Sequence, residues 1–303
     1  MLSILIPVYN FDIRKLVRQL HQQGLLLDIP FEIICIDDAS LKEYTELNTS
    51  VKNLEHTSFE VLEKNIGRSK IRNYLATKSK FNWLLFMDCD SLPVNSNYLH
   101  NYSKHLNLDR VVYGGRVYKN NAPKDKRMLL HWHYGKQREE NNASKRNIRA
   151  YRSFMTNNFL ITKKTFFDIQ FNEELNEYGH EDTFFGLELK KKNISILHLD
   201  NPLEHIGLEN NSVFIKKSEQ AIQNLYLLYQ NYGLKKDVKL LNYFITVNKY
   251  YFDKLILLLY KITKKQILSN LNSNKPKLKF FDFYKLGYML ELSKKNNPEK
   301  EKK

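Results

Sequence analysis

The chain has 303 residues, of which 42% are hydrophobic and 13% aromatic, so it can bury a sizeable core and is not intrinsically disordered. Its formal charge of +15 is concentrated toward the C-terminal end, because residues 211–303 contain 19 lysines, no arginine and 7 acidic residues. The composition therefore predicts a balanced globular domain followed by a lysine-rich region.

The sequence contains no apolar run long enough to span a membrane, and its N-terminus lacks the basic head and cleavage site of a signal peptide. Cys35 and Cys89 lie in strand-like apolar runs and are interpreted as free buried thiols of a reducing compartment rather than as a disulfide. These features predict a cytoplasmic protein.

Strand-like and helix-like patterns alternate in the first part of the chain. Short apolar runs predict strands at 2–8, 31–36, 59–62 and 81–87, and helical periodicity predicts helices at 12–23, 40–52 and 67–78. This alternation favours right-handed crossovers and a mostly parallel α/β sheet flanked by helices.

The pattern changes in the second part of the chain. A further strand is predicted at 110–118, and the basic, non-periodic residues 120–151 predict a long loop that is functional or disordered. The remaining predicted elements are strands at 158–162 and 194–199, helices at 181–192, 213–232 and 280–292, and a helical stretch with interruptions at 238–271, followed by a break at 272–276. We therefore predict a domain over 1–207, with halves 1–110 and 111–207, and a helical C-terminal extension over 208–303.

One apolar run, which includes Leu84, ends in two carboxylates one residue apart, Asp88 and Asp90. The carboxyl end of a buried parallel strand is a common ligand site, and carboxylate oxygens suit Mg²⁺ or Mn²⁺, which can hold a diphosphate. Taken alone, the pair is equally compatible with an acidic turn that caps a following helix.

The turn after the first strand contains none of the glycines of a dinucleotide-binding or P-loop enzyme, so both classes are disfavoured. The second strand instead ends in Asp37 and Asp38. A carboxylate here can accept hydrogen bonds from a nucleobase imide or a ribose hydroxyl. The alternative is a helix N-cap, formed by Asp38 or Ser40.

A glycine at position 67 opens a predicted helix whose first two turns contain Arg68, Lys70 and Arg72. Positive side chains near a helix N-terminus are locally unfavourable. Either a bound anion or simple solvation would explain them.

Five motifs occur in an order and spacing that resembles the family 2 glycosyltransferases. They are Pro7-Val8-Tyr9-Asn10, Asp37-Asp38-Ala39-Ser40, Asn65-Ile66-Gly67 with Arg72-Asn73, Asp88-Cys89-Asp90, and Tyr178-Gly179-His180-Glu181-Asp182. The resemblance covers about residues 1–207. It implies a GT-A fold and a metal-dependent, inverting reaction that transfers a sugar from a nucleotide-diphosphate sugar to an acceptor hydroxyl. The most common base of the donor in this family is uridine.

The resemblance also implies roles in a donor pocket. Asp37 or Asp38 would contact the base or ribose, Pro7 and Tyr9 would line the base site, and Arg72 would belong to the nucleotide pocket.

Further roles follow for the metal and the acceptor. Asp90 would be the main ligand of Mn²⁺ or Mg²⁺, with His205 completing the site and Asp88 facing ribose or metal-bound water. Asp182 would be the general base, and Glu181 would help to position the acceptor. Carboxylates that open a helix also simply stabilise its dipole.

Two other functions compete with glycosyl transfer. A sugar nucleotidyltransferase shares the architecture but normally opens with a glycine-rich loop bearing Arg and Lys, which this N-terminus lacks. A nucleic-acid-binding protein would fit the sequence pI of about 9.5, but nucleic-acid surfaces favour Arg beside Lys, and the basic C-terminal region has no Arg. The predicted partners are therefore a nucleotide-sugar donor and a glycan or lipid-linked acceptor of cell-envelope polysaccharide synthesis, and no nucleic acid.

The lysine-rich region has two interpretations. Residues 243–268 mix aromatic and aliphatic residues with Lys, which is typical of a helix at the surface of an anionic membrane, here the inner face. The alternative is a helical bundle packed on the catalytic domain with a solvated Lys face.

Overall fold

The computed structural model describes residues 1–175, 178–234 and 238–296. These residues form two compact units. The first comprises residues 1–119, 138–175 and 181–207, and the second comprises residues 120–137 and 178–180 together with the described residues from 208 onward.

The strands all lie in the first unit. They are β1 (Leu2–Val8), β2 (Phe31–Asp37), β3 (Thr57–Val61), β4 (Trp83–Met87), β5 (Ser91–Pro93), β6 (Val111–Tyr113), β7 (Arg116–Val117), β8 (Asn158–Thr162), β9 (Ile196–His198) and β10 (Leu203–His205). Within the described residues, seven of them form a sheet in the order β3-β2-β1-β4-β8-β6-β9, in which only β8 runs antiparallel to its neighbours. The strands β5, β10 and β7 form a small second sheet. The mostly parallel α/β sheet confirms the predicted fold class.

The helices flank the sheet in the first unit and make up the second unit. Those of the first unit are α1 (Arg14–Gly24), α2 (Lys42–Thr49), α3 (Arg68–Lys78), α4 (Tyr98–Ser103), α6 (Ala143–Asn147), α7 (Lys163–Ile169) and α8 (Glu181–Lys191). Those of the second are α5 (Leu129–Tyr134), α9 (Asn211–Tyr232), α10 (Lys239–Lys249), α11 (Asp253–Leu271) and α12 (Leu278–Asn296). Short 3₁₀ segments cover Ser50–Asn53, Lys126–Met128 and Ala150–Ser153, and a π-helical turn covers Gly135–Glu139.

The core explains why β1 is apolar along almost its whole length. Ile4 and Ile6 belong to the cluster that includes Leu16 of α1, whereas Leu5, on the opposite face, belongs to the cluster that includes Ile71 of α3. A parallel strand covered by helices on both faces must be apolar at consecutive positions.

Strand register places the ends of β1, β2 and β4 at one edge of the sheet. Val8 pairs with Asp37 and Leu5 pairs with Phe86, so the residues that follow these strands emerge on the same side. The Asp38 amide also donates to the Val8 carbonyl at 2.8 Å, which holds the two strand ends together. Three of the five sequence motifs therefore meet at this edge.

The prediction of one strand at 110–118 is wrong. The chain turns at Gly114 and Gly115, so that β6 joins the large sheet and β7 the small one. Gly115 has a φ of +98°, and a Cβ there would lie 2.5 Å from Nη1 of Arg146. This turn therefore requires glycine.

The prediction of a long irregular loop at 120–151 is also wrong. The segment contains two short helices, α5 and α6, besides 3₁₀ and π-helical turns. These pieces are too short to give a periodic sequence signal, and α6 is set by a local cap in which Asn142 Oδ1 accepts from the Lys145 amide at 3.0 Å.

The second unit has its own aromatic core. Tyr260, Phe281 and Tyr284 are buried together, and Leu130 of α5 belongs to the same cluster. The Leu130 amide donates to Oδ1 of Asn211 at 2.9 Å, which ties α5 to the start of α9. The helices predicted after residue 210 are confirmed, including an interruption between α10 and α11 and the break between α11 and α12. Residues 235–237 and 297–303 of the predicted C-terminal extension lie outside the described residues.

Cys35 and Cys89 are both free, as predicted, with Cys35 buried and Cys89 half-buried. Among the helices that the structure describes, none has the length and apolar character needed to cross a bilayer.

Candidate active site

Asp37, the last residue of β2, is fully buried. Its Oδ1 accepts a hydrogen bond from the Ser40 amide at 2.7 Å, whereas its Oδ2 is buried and has no hydrogen-bond partner among the described residues. A buried carboxylate oxygen without a donor is unfavourable unless a ligand supplies one. Asp37 is therefore placed to accept a hydrogen bond from a bound molecule.

Asp38 has a different environment. Its two oxygens accept hydrogen bonds from the amides of Ile66 at 2.7 Å and Gly67 at 3.0 Å. Burial raises the pKa of Asp38, and the two amide donors partly offset that effect. Asp38 thus fixes the loop in front of α3, which includes Gly67 at a φ of +87°.

The turns after β1 and β2 are linked to each other. The Asn10 amide donates to Oγ of Ser40 at 2.8 Å, and Oδ1 of Asn10 accepts from the Leu41 amide at 2.8 Å. Helix α2 has no side-chain cap, so the helix-cap alternative for Asp38 and Ser40 is wrong. The Asn10 link was not found from the sequence, although the left-handed φ of +48° at Asn10 is a conformation that Asn tolerates well.

Pro7 and Tyr9 flank the end of β1. Pro7 is half-buried within the strand, and Tyr9 is 54% exposed one residue beyond the Val8–Asp37 pair. An exposed aromatic ring at this position can stack on a planar base.

Asp88 lies between two arginines. Its Oδ1 is 2.6 Å from Nη2 of Arg72, and its Oδ2 is 3.1 Å from Nη2 of Arg116. Arg72 is 2% exposed and also donates to the Arg68 carbonyl at 3.1 Å. Both oxygens of Asp88 are therefore already paired, and the guanidinium of Arg72 holds Asp88 in place.

Arg116 was missed by the sequence analysis. It lies in the two-residue strand β7, and its Nη1 is 3.3 Å from Oε2 of Glu139, which also accepts a hydrogen bond from the Tyr118 hydroxyl. No local sequence pattern marks an arginine in so short a strand. Its position is visible only when β7, Glu139 and Asp88 are brought together by the fold.

Asp90 and His205 are brought together by the small sheet. The strand after Asp90 is β5, so the interpretation of this acidic pair as a helix cap is wrong. β5 pairs with β10 so that Ser91 lies opposite His205, and the Ile206 amide donates to the Asp90 carbonyl at 2.8 Å. As a result, Nδ1 of His205 lies 3.4 Å from Oδ1 of Asp90.

This pair fits a divalent cation by the chemistry of its donors. Carboxylate oxygen and imidazole nitrogen together suit Mn²⁺, and carboxylate oxygen suits Mg²⁺. A Cβ at Gly207 would lie 2.6 Å from Oδ2 of Asp90, so the glycine keeps this side of the carboxylate open. In the part of the chain that the structure describes, no three His, Cys, Asp or Glu side chains converge on one point.

The charges around Asp90 favour its ionised form. Burial acts to raise the pKa of Asp90, but the charges of His205, Arg116 and Arg68 outweigh burial and hold the pKa below its usual range. The carboxylate is therefore ionised at neutral pH.

The basic first turns of α3 are neutralised by the chain itself. Nε of Arg68 donates to Oε1 of Glu181 at 2.7 Å, just as Arg72 pairs with Asp88. Burial acts to raise the pKa of Glu181, but the charges of Arg68 and Arg72 lower it overall. Neither a bound anion nor solvation is needed for these two arginines. Oε2 of Glu181 is buried and has no hydrogen-bond partner among the described residues.

Asp182 follows Glu181 in the first turn of α8, where both carboxylates also stabilise the helix dipole. Its Oδ1 accepts hydrogen bonds from the amide of Thr183 at 2.6 Å and from the Thr183 hydroxyl at 3.3 Å. Burial and the neighbouring charge of Glu181 raise the pKa of Asp182 to about 6. A carboxylate with a pKa close to neutrality is suited to accept a proton from a substrate.

Similar solved structures define the class of this fold. S. aureus TarS aligns with a TM-score of 0.51 and 20% identity over 74% of this chain and 39% of that chain. The mannosyltransferase PcManGT from Pyrobaculum calidifontis, in complex with GDP-Man and Mn²⁺, aligns with a TM-score of 0.53 and 12% identity over 76% of this chain and 64% of that chain. TarS 1-349 in complex with UDP-GlcNAc aligns with a TM-score of 0.51 and 15% identity over 97% of this chain and 92% of that chain. The fold is therefore of the GT-A type.

The sequence identifies the family. The family model described as Glycosyl transferase family 2 matches residues 3–206, and the chain belongs to this family. No curated protein matches the chain significantly. The chain spans 39% of the length of TarS and 64% of the length of PcManGT.

Proposed function

We propose that this protein is an inverting glycosyltransferase that uses a nucleotide-diphosphate sugar, with uridine as the base. Its acceptor is a hydroxyl of a glycan or lipid-linked molecule in cell-envelope polysaccharide synthesis. The observation that carries this proposal is the Asp90–His205 pair beside the sheet edge that holds Asp37, in a chain of glycosyl transferase family 2. Family membership favours this function over the sugar nucleotidyltransferase and nucleic-acid-binding alternatives.

Donor binding is assigned to the ends of β1 and β2. Oδ2 of Asp37 would accept a hydrogen bond from the base imide or a ribose hydroxyl, and Tyr9 and Pro7 would line the base site. Asp38 would shape this pocket through the loop it fixes, and Arg72 would do so through Asp88. The complex of TarS 1-349 with UDP-GlcNAc supports a uridine donor.

Asp90 and His205 would hold Mn²⁺ or Mg²⁺, and the complex of PcManGT with Mn²⁺ supports this choice. Held by these two residues, a cation would supply positive charge that offsets the charge on the leaving diphosphate oxygens. Asp88, fixed by its two arginines, would face the ribose or a water of the metal site.

Asp182 is assigned as the general base and Glu181 as the residue that helps to position the acceptor. Asp182 takes the proton of the acceptor hydroxyl while that oxygen attacks the anomeric carbon from the face opposite the diphosphate. The new glycosidic bond forms as the carbon–oxygen bond to the diphosphate breaks, and the anomeric configuration inverts. Its raised pKa keeps Asp182 basic enough for this step.

The function is tested by a screen of nucleotide sugars for donor hydrolysis with Mn²⁺ or Mg²⁺. We expect hydrolysis of at least one uridine diphosphate sugar that depends on the divalent cation and is lost in Asp37→Asn, because the amide loses one acceptor oxygen. Exchange of the exposed Asp109 for Asn is the matched control. Absence of both binding and hydrolysis across the nucleotide sugars would contradict the proposal.

The second unit is proposed to contact an anionic membrane surface. Exposed apolar side chains lie at helical spacing along α11, at Leu255, Leu258, Leu259 and Ile262, and continue into the aromatic segment 250–252. The exposed lysines Lys254, Lys261 and Lys265 lie on the same helix. Such lysines gain about 1 kcal/mol each near an anionic leaflet. Charge repulsion between two copies of this lysine-rich surface disfavours a second copy as the occupant.

Vesicle co-sedimentation tests this surface. The protein is expected to bind phosphatidylglycerol-containing vesicles at low salt and to bind neutral vesicles weakly, and Leu258→Glu with Ile262→Glu should abolish binding. Leu26→Glu, at a position that is 81% exposed in the first unit, is the control and should leave binding unchanged. Equal binding by both variants, or no binding by the parent, would remove the membrane contact and leave a solvated lysine face.

A further inference from the structure

A cavity of about 540 Å³ lies beside Asp182 in the first unit. Apart from Asp182 and Thr183, it is lined by residues between positions 138 and 155. Five cationic side chains contribute to it: Arg138, Lys145, Arg146, Arg149 and Arg152. The acidic residues in its lining are Asp182 and Glu139, and Glu139 is already paired with Arg116.

The basic wall is fixed to the sheet. Arg146 is 4% exposed, and its Nη2 donates to the carbonyls of Gly114 at 3.2 Å and Leu199 at 2.5 Å. Asn147 exchanges two hydrogen bonds with the backbone of His198, both at 3.0 Å. Burial lowers the pKa of His198 to about 4, so it adds no charge to this wall at neutral pH. The cavity is therefore preformed.

Three of the cations are available to a ligand. Lys145, Arg149 and Arg152 are exposed, and within the described parts of the chain their side chains form no ion pair with a carboxylate. Cations that lack carboxylate partners and share one concave surface raise its positive potential, and an anionic ligand offsets that potential. Guanidinium groups match phosphate and carboxylate geometry especially well.

We propose that this cavity binds the acceptor and that the acceptor is anionic, carrying phosphate or carboxylate groups next to the hydroxyl that receives the sugar. This inference rests on the proposed function, because Asp182 must meet the acceptor hydroxyl. Of the described residues that line the cavity, none belongs to the donor set Asp37, Asp88 and Asp90, so its cations are not assigned to the donor diphosphate.

The lining favours a polyol or sugar polymer over a nucleic acid. Single-stranded nucleic acids are held by aromatic stacking as well as by charge. The aromatic residue in the described lining is Phe154, which is only 3% exposed. A chain of charged, hydroxylated units needs no stacking surface.

The proposal is tested with four defined hexamers in a calorimetric binding assay on the full chain. The probes are a glycerol-phosphate hexamer, a hexauronate, neutral maltohexaose and hexauridylate. We expect at least one of the first two to bind about tenfold or more tightly than maltohexaose and hexauridylate at low salt, which is about 1.4 kcal/mol. The ratio between the two anionic polymers identifies whether phosphate or carboxylate is preferred.

Paired variants locate the binding. The double variant Arg149→Gln with Arg152→Gln should weaken binding of the anionic polymer about tenfold or more. The control, Arg18→Gln with Arg110→Gln, removes the same charge from exposed positions elsewhere and should change the affinity for this polymer less than about twofold. Donor affinity should be unchanged in both. Equal binding of maltohexaose, unchanged affinity in the Arg149/Arg152 variant, or a loss of donor affinity instead would overturn the proposal. Equal, arginine-dependent binding of hexauridylate would overturn it in favour of a nucleic acid.

Donor binding and hydrolysis by the parent protein distinguish a failure of the proposed glycosyltransferase function from a failure of the inference about the acceptor. If the parent protein neither binds nor hydrolyses any nucleotide sugar while the glycerol-phosphate hexamer still binds through Arg149 and Arg152, the glycosyltransferase proposal fails and the assignment of the anion as an acceptor fails with it. If hydrolysis is present and neither anionic polymer binds, only the inference about the acceptor fails.

Discussion

Exchange of Asp182 for Asn is expected to reduce sugar transfer by about 10²–10⁴-fold, the usual contribution of a general base. The amide keeps the shape of the side chain and the acceptor oxygen that Thr183 contacts, but it cannot take a proton. Donor affinity should stay within about twofold, because none of the contacts assigned to the donor involves Asp182. Transfer kinetics and donor titration on the same preparation measure both effects. Near wild-type turnover would show that another residue is the base.

The same carboxylate determines the expected pH dependence. Because its pKa is raised to about 6, Asp182 becomes protonated below that pH and kcat/KM should fall on the acid side.

The raised pKa of Asp182 also means that ionisation of this carboxyl opposes folding. The stabilisation from its protonated form is present below the ordinary carboxyl pKa and is lost as the pH rises through 6. Asp182→Asn should therefore raise Tm more at pH 7.5 than at pH 4. The elevated pKa would be contradicted if kcat/KM fell only near pH 4 and the difference in Tm between Asp182→Asn and the parent protein did not depend on pH.

Exchange of Asp90 for Ala is expected to remove metal-dependent donor hydrolysis almost completely, since metal stabilisation of the leaving group is worth several kcal/mol, or about 10²–10³-fold. Binding of Mn²⁺ in the presence of uridine diphosphate, followed by electron paramagnetic resonance, should weaken in parallel. His205→Ala should also reduce metal-dependent hydrolysis and Mn²⁺ binding, but by less, because the negative charge that attracts the cation comes from the Asp90 carboxylate.

Asp109→Ala, at an exposed position of the first unit, is the matched control for Asp90→Ala and should retain Mn²⁺ binding. Asp88→Asn has a different expected effect, because it changes a carboxylate that already pairs with Arg72 and Arg116. Loss of one partner from a buried ion pair costs about 3–5 kcal/mol, so Asp88→Asn should lose stability. Metal-dependent hydrolysis that survives in Asp90→Ala would contradict the assignment of Asp90 as a ligand.

The sequence predicts the first half of the sheet well because β1, β2 and β4 are buried on both faces. Their apolar runs end abruptly where the chain leaves the core, which also marks Asp37 and Asp88. The same reasoning failed at 110–118, where two glycines divide an apolar run between two sheets. It failed again over 120–151, because five- and six-residue helices depend on local caps and tertiary packing rather than on periodicity.

Ion pairs between distant segments were beyond the sequence analysis. Arg68 was recognised as anomalous at a helix N-terminus, but its partner Glu181 comes from a motif more than a hundred positions later. Arg116 gave no signal, since β7 has only two residues. Local patterns identify residues that need a partner, and only the fold shows which partner they have.

Helix α5 illustrates how the two units share the chain. Leu130 lies in the core of the second unit, and His131 stacks on Phe214 of α9 with ring centroids 4.3 Å apart. A truncated chain that stops at residue 207 would lack α9 and would expose the apolar side of α5 to water. The segment that matches the family model therefore cannot be produced cleanly by cutting at its end, and a shortened chain would also need α5 redesigned with a polar surface.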